Sequence, residues 1–213
     1  MRIDSIAAQP DRAGRHLVRF SNGTTMRLYR QTVEDFALYT GMELDEGAFS
    51  NLREAAGRMS AKMRAVRIVA AGNVSRSDLE HRLIRKGEAP EQAREAVSWM
   101  EDLSLVDDEK TAEQIVQRCI ARGYGRARAK QALYEKRIPR ALWEQALEGY
   151  PDQGDKIDAF LQSRLKGDWD EKDLKRAVDA LLRRGHSFSE IRAGLEKLKI
   201  DSDDLQEDSE WQT

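Results

Sequence analysis

Apolar positions recur every second residue at the start of the chain and every third or fourth from Thr32 onward. His16, Val18 and Phe20 alternate with Arg15, Leu17 and Arg19; after Ser21-Asn22-Gly23-Thr24 a second run sets Met26 and Leu28 against Arg27 and Tyr29. A period of two belongs to a strand with one buried face. Asn-Gly between two such runs predicts a hairpin, because both residues tolerate positive φ. Residues 2–7 can supply a third strand. Beyond them Thr32 is placed to cap a short helix ending near Gly41. Asp45 is placed to cap a second, starting at Glu46 and running toward Ala70, with Gly57 and Ser60 as possible breaks.

The longer pattern is internal repetition. Leu79, Leu83, Gly87, Ala93, Val97 and Met100 align with Ala129, Leu133, Arg137, Trp143, Leu147 and Tyr150 at a constant shift of fifty. Forty-eight further on stand Ala177, Leu181, Gly185, Ile191, Leu195 and Leu198. Each set reads as a helix with an i, i+4 stripe, a turn, and a second such helix. The turns fall at Lys86-Gly87, Lys136-Arg137 and Arg184-Gly185. A cation there suits the helix dipole, and glycine accepts the left-handed cap. A further helix precedes each pair: Ala65, Ile68 and Val69 correspond to Ala112, Ile115 and Val116, and to Ile157, Phe160 and Leu161.

The expected fold is therefore mainly α, with three tandem three-helix repeats forming an elongated curved rod and a small N-terminal β-hairpin or sheet region. Units of under fifty residues bury little core alone, and stacking on neighbours supplies the rest. The expected segments are 1–57 for the hairpin and its helices, then 58–104, 105–150 and 151–200 for the repeats. An acidic tail over 201–213 is expected to be disordered.

Charge changes the picture locally more than globally. The chain has 36 basic and 38 acidic side chains, a net charge of −2, which excludes a simple polycation that coats nucleic acid. Yet Arg118, Arg122, Arg126, Arg128, Lys130, Lys136, Arg137 and Arg140 crowd one stretch with only Glu135 opposing. Smaller groups occupy related places in the third repeat (Arg183, Arg184, Arg192) and in the first (Arg82, Arg85, Lys86). Such runs are either solvated helix faces or contacts to an acidic protein surface or to phosphates. Tyr124, between Gly123 and Gly125, either stacks on a partner or plugs the interface between repeats.

No constellation of catalytic residues is visible. His16, His81 and His186 are far apart, and Gly123-Tyr124-Gly125 lacks the strand and lysine of a phosphate loop. Asp107, Asp108 and Glu109 have neither the length nor the glycine of a calcium loop and are read as helix caps. Cys119 and Trp143 fall on core stripes, whereas Trp169 and Trp211 are expected at the surface. One cysteine permits no internal disulfide, and no apolar run approaches a membrane span. A cytoplasmic, non-enzymatic protein without cofactor or metal is expected.

Several motifs resemble the RecX family. Leu105-Val106-Asp107-Asp108-Glu109-Lys110-Thr111-Ala112 resembles its "Leu-x-Asp-Asp-x-x-x-Ala" junction, and Arg122-Gly123-Tyr124-Gly125-Arg126-Ala127-Arg128 its "Gly-Tyr-Gly" and basic helix. Leu182-Arg183-Arg184-Gly185-His186-Ser187-Phe188 with Ile191-Arg192 is similar to its "Arg-Arg-Gly-Phe-Ser…Ile-Arg". Ser75-Arg76-Ser77-Asp78-Leu79, with Leu83 and Gly87, is similar to the opening of its first repeat. Arg137 and His186 depart from the pattern, standing where glycine and phenylalanine are usual. The resemblance covers about residues 60–198. It implies a monomeric regulator that lies on the RecA–DNA filament and restrains strand exchange, ATP hydrolysis and repressor cleavage, with the basic residues and Tyr124 meeting the filament or its DNA. A direct DNA-binding helical repeat protein is the alternative.

Overall fold

The structure, a computed structural model, describes residues 1–200. The acidic tail and Trp211 lie outside the described residues. The chain divides into two compact units, Met1–Asp107 and Asp108–Thr213.

The first unit begins with an antiparallel sheet of β1 (Ile3–Ile6), β2 (Arg15–Phe20) and β3 (Thr25–Tyr29), in the order β1-β2-β3. Val18, Phe20 and Leu28 face its core with Ile3, as the alternation requires. The hairpin turn differs from the expected pair of left-handed residues. Only Gly23 has positive φ, at 81°, and Gly23 N–H donates to the Phe20 carbonyl at 2.9 Å while Phe20 N–H donates to that of Thr24 at 2.9 Å. The connection is thus an ordinary turn followed by a left-handed glycine, which keeps the twist of the strands.

Helix α1 (Arg30–Asp35) starts two residues before Thr32, and Tyr29 is its N-cap. Thr32 is buried inside this helix rather than capping it. The helix also ends well short of Gly41, because Ala37 turns left-handed at φ 46° and drops Leu38 into the core. Asp45 caps α2 (Glu46–Ala70) as expected, its carboxylate accepting from Ala48 N–H at 2.7 Å. The helix passes Gly57 and Ser60 without a break. One end of α2 packs Phe49, Leu52 and Ala56 under the sheet; the other sends Ala61 and Ala65 into a bundle with α3 (Arg76–Arg85) and α4 (Pro90–Asp102).

The second unit holds two further bundles. One comprises α5 (Asp108–Ala121), α6 (Arg126–Glu135), a 3-10 turn at Arg140–Leu142 and α7 (Trp143–Ala146). The other comprises α8 (Gly154–Arg164), α9 (Glu171–Arg183) and α10 (Phe188–Lys197). The third helix of the middle bundle is shorter than its apolar spacing suggests. It lies between Pro139 and Pro151, and Gly149 turns left-handed at φ 62°, so only a 3-10 turn and one α-turn fit. Leu147 is still buried, and Trp143 anchors the turn by donating from its indole nitrogen to the Ile138 carbonyl at 3.0 Å.

The aligned repeat positions coincide in structure. Leu79, Leu83, Ala129, Leu133, Ala177 and Leu181 are all buried. The residues after them, Gly87, Arg137 and Gly185, take positive φ of 92°, 54° and 84°. Each helix closes with the same pair of bonds, Gly87 N–H to Ile84 and Glu88 N–H to Leu83, with matching bonds at 137–138 and 185–186. Both orphan carbonyls are satisfied and the chain is turned back on itself.

Two changes test this frame by thermal melting. Leu133→Ala empties a fully buried position and is expected to destabilise by about 2–5 kcal/mol. Arg137→Gly relieves a left-handed side chain and is expected to stabilise by about 1 kcal/mol, where Arg137→Ala gives no such gain.

Candidate functional site

The basic stretch is built around the turn between α5 and α6. Gly123, at φ 67°, and Tyr124 close α5 by donating their N–H groups to Ile120 at 2.9 Å and Cys119 at 3.0 Å. The half-buried Tyr124 ring packs on the core of its own bundle, and its carbonyl accepts the Tyr150 hydroxyl at 2.7 Å. Cys119 is buried beside it, and desolvation raises its thiol pKa.

Gly125 then makes a contact with the last bundle that sequence reading did not anticipate. Its N–H donates to the Arg184 carbonyl at 2.9 Å, and a Cβ there would overlap the carbonyl of Gly185. A Cβ on Gly185 would in turn overlap the backbone of Arg128. The Gly-Tyr-Gly and Arg-Arg-Gly-His motifs are therefore two halves of one backbone-to-backbone contact. His186 completes it: the ring is buried, and Nε2 donates to the Gly123 carbonyl at 3.0 Å. Nδ1 is buried without a hydrogen-bond partner.

This contact sorts the predicted basic residues. Arg128 is half-buried and bonds Glu135 at 2.9 Å, which also holds that carboxyl below its ordinary pKa. Arg184 is half-buried with its guanidinium 4.3 Å from the Phe160 ring centre, and Arg82 pairs with Asp78 at 2.8 Å. These three are engaged by partners within their own bundles. Lys136 is the half-buried C-cap of α6. Arg140 lies over the Trp143 ring and Arg192 is 3.7 Å from Glu196, both at the surface. Arg118, Arg122, Arg126, Lys130, Arg137 and Arg183 are exposed in the second unit, as are Arg85 and Lys86 in the first.

Arg126, Lys130 and Tyr134 form one exposed ridge along α6, each a turn beyond the last. Tyr134 is 62% exposed and was not singled out from the sequence, although its spacing from the two cations could have identified it. The corresponding ridge of α9 is Leu174, Val178 and Leu182, turned into its core. That of α3 is Arg76, Glu80 and Ile84, where Arg76 pairs with Glu101 at 2.7 Å. Only the middle bundle leaves two cations and an aromatic ring together on this ridge. Glu135, the neighbouring carboxylate, is engaged by Arg128 and Gln131. Among the described residues no group of His, Cys, Asp and Glu is arranged to hold a metal ion, and no helix is long and apolar enough to cross a membrane.

Residues 107–147, which contain this ridge, match the family description "RecX, second three-helix domain". The regulatory protein RecX of Vibrio parahaemolyticus is 26% identical over 140 residues, covering 64% of this chain and 90% of its own. That of Chromohalobacter salexigens is 28% identical over 130 residues, covering 60% and 86%. The chain is thus similar to RecX proteins in its middle bundle and over about 60% of its length. The fold agrees: a crystal structure of regulatory protein RecX superposes with a TM-score of 0.60 at 21% identity, covering 93% of this chain and 98% of that one. The family match falls on the bundle whose α6 ridge is both basic and exposed.

The buried histidine has a pH signature. Desolvation, the dominant cause, pushes His186 below its ordinary 6.5, with Arg184 acting the same way and the Gly123 carbonyl and Glu190 opposing. The unfolded chain then binds the proton more readily than the folded one, so stability rises with pH. This contribution is complete above pH 6.5 and is lost as the pH falls from there through the lower folded value. Melting from about pH 8 to 5 should show the second unit of wild type weakening below the ordinary histidine value, and His186→Phe should flatten that part of the profile.

Proposed function

We propose that this chain is a monomeric regulator that docks on the RecA–DNA filament through the α6 ridge and restrains the recombinase. The observation that carries the reading is that ridge: Arg126, Lys130 and Tyr134 in line and exposed on the bundle that matches the family. Arg122, exposed at the end of the adjacent α5, adds a further cation. An aromatic side chain flanked by cations is the composition that protein interfaces favour, since the ring supplies buried area and the charges steer approach. Charge at this place also carries a structural cost. Helix α6 has no acidic residue in its first turn and begins with Arg126, a cation at the positive end of the helix dipole. An acidic partner surface would relieve that repulsion. The basic ends of α3 and α9 offer weaker contacts, and several weak contacts on one polymer combine through effective concentration.

Titrating the chain into RecA on single-stranded DNA tests the reading through ATP hydrolysis. Inhibition is expected at concentrations far below that of RecA, and its absence over that range would reject the proposal. Reversing Arg122, Arg126 and Lys130 to glutamate should move the inhibition midpoint at least about tenfold, roughly 1.4 kcal/mol, without shifting the melting temperature. Tyr134→Ala should act in the same direction.

A further inference from the structure

A second concentration of positive charge lies in the first unit. From Arg12 to Val33 there are five arginines and no carboxylate, and from Ala55 to Ser77 five basic residues and again no carboxylate. The fold joins the two runs, because the Arg67 guanidinium of α2 donates to the Tyr29 hydroxyl at the end of β3.

Strand register places three of these arginines on one side of the sheet. Arg15 pairs with Tyr29, Leu17 with Arg27 and Arg19 with Thr25, and directly opposed residues share a face. That face is opposite the one carrying Val18, Phe20 and Leu28. Arg27 is thus the diagonal neighbour of both Arg15 and Arg19, at about 7–8 Å on each side. Ser5 of β1 borders Arg19 and Thr25 is exposed, while Leu17 is half-buried and Tyr29 buried, so no large apolar side chain is exposed among the three arginines.

The carboxylates nearby leave most of this charge uncancelled. Asp11 bonds Arg15 at 2.8 Å and lies 3.9 Å from Arg27, and its pKa is lowered to about 2, chiefly by the Arg15 hydrogen bond. Asp4 is held by Arg2, and Glu34 by Arg30. Arg12 and Arg19 have no carboxylate partner among the described residues, and the Arg27 side chain is 62% exposed.

We propose that this outer sheet face, formed by Arg15, Arg19 and Arg27 and continued by Arg67, binds the phosphate backbone of a nucleic acid. Two features favour a polyanion over an acidic protein. None of the exposed large hydrophobic residues (Met1, Tyr39, Ile84, Leu103, Leu105, Tyr134 and Trp169) is on this face, so it lacks the apolar anchor on which protein interfaces depend. Guanidinium groups at regular spacing on a rigid sheet instead suit repeated bidentate contacts to phosphates, which position a strand without reading its bases. The inference is independent of the RecA reading and concerns a different unit from the one that carries the α6 ridge.

The test is anisotropy of a fluorescent single strand of about 20 nucleotides against the full chain at several salt concentrations. To remove any contribution of the α6 ridge, it is run in wild type and in the Arg122, Arg126 and Lys130 reversal background. In both, Arg19→Gln with Arg27→Gln should lower the magnitude of the log–log salt slope by about 1.4, which is about 0.7 for each phosphate no longer neutralised. Arg19→Glu with Arg27→Glu should weaken binding further, and circular dichroism should be unchanged because both side chains are exposed. Unchanged affinity and slope in the glutamine variant would overturn the proposal, as would a variant that binds the oligonucleotide normally but loses affinity for a DNA-free acidic protein.

Discussion

Each short helix in this protein can bury only a narrow stripe, so each must be turned back sharply onto its predecessor to make any core. The left-handed residue after the second helix of each bundle performs that turn, at Gly87, Arg137 and Gly185. It satisfies two carbonyls that would otherwise be orphaned and sends the following residue inward. That inward residue is Glu88, Ile138 or His186, all buried, and the three show how one backbone position accepts different chemistry. Isoleucine packs with no further demand. Glutamate requires Arg64 at 2.7 Å and Ser60 at 3.0 Å to compensate its charge. Histidine reaches across to the Gly123 carbonyl and so ties one bundle to the next.

That last tie shapes the charged surface as well as the fold. Where Gly125 meets Gly185 the two backbones touch, which brings the start of α6 against the end of α9. Arg128 and Arg184 are drawn into the contact and use their charge on Glu135 and on the Phe160 ring. Arg126 and Lys130, on the other side of the same helix, remain in solvent. A run that reads as one basic cluster along the chain is thus divided into cations engaged within their own bundles and cations that remain in solvent.

The division explains what could and could not be read beforehand. Repeat frame, turn positions and core stripes follow from spacing alone, since burying one face of a helix imposes a period that chance rarely reproduces over three units. Side-chain partners do not follow from spacing. Nothing in the local sequence of Arg128 distinguishes it from Arg126, because Gly185, nearly sixty residues away, decides which of them is enclosed. Thr32 illustrates a different limit: a threonine before a helical pattern suggests a cap, but α1 starts at once from β3 and encloses it. The shortened α7 was legible in principle, for Pro139, Gly149 and Pro151 all argue against a long helix there.

Charge segregation without net charge is the remaining constraint. With 36 basic and 38 acidic residues the chain has no long-range pull on a polyanion, so any attraction must come from local patches within about a Debye length, roughly 10 Å at moderate salt. Two such patches are described among residues 1–200, and they differ in kind. The α6 ridge mixes cations with an exposed ring, whereas the sheet face of β2 and β3 has cations and no exposed apolar anchor. Surfaces of the first kind gain from desolvating an aromatic side chain against a shaped protein partner; those of the second gain chiefly by releasing counterions from phosphates. The two patches also fall in different units of the chain, so substitution can change the charge of one without touching a residue of the other.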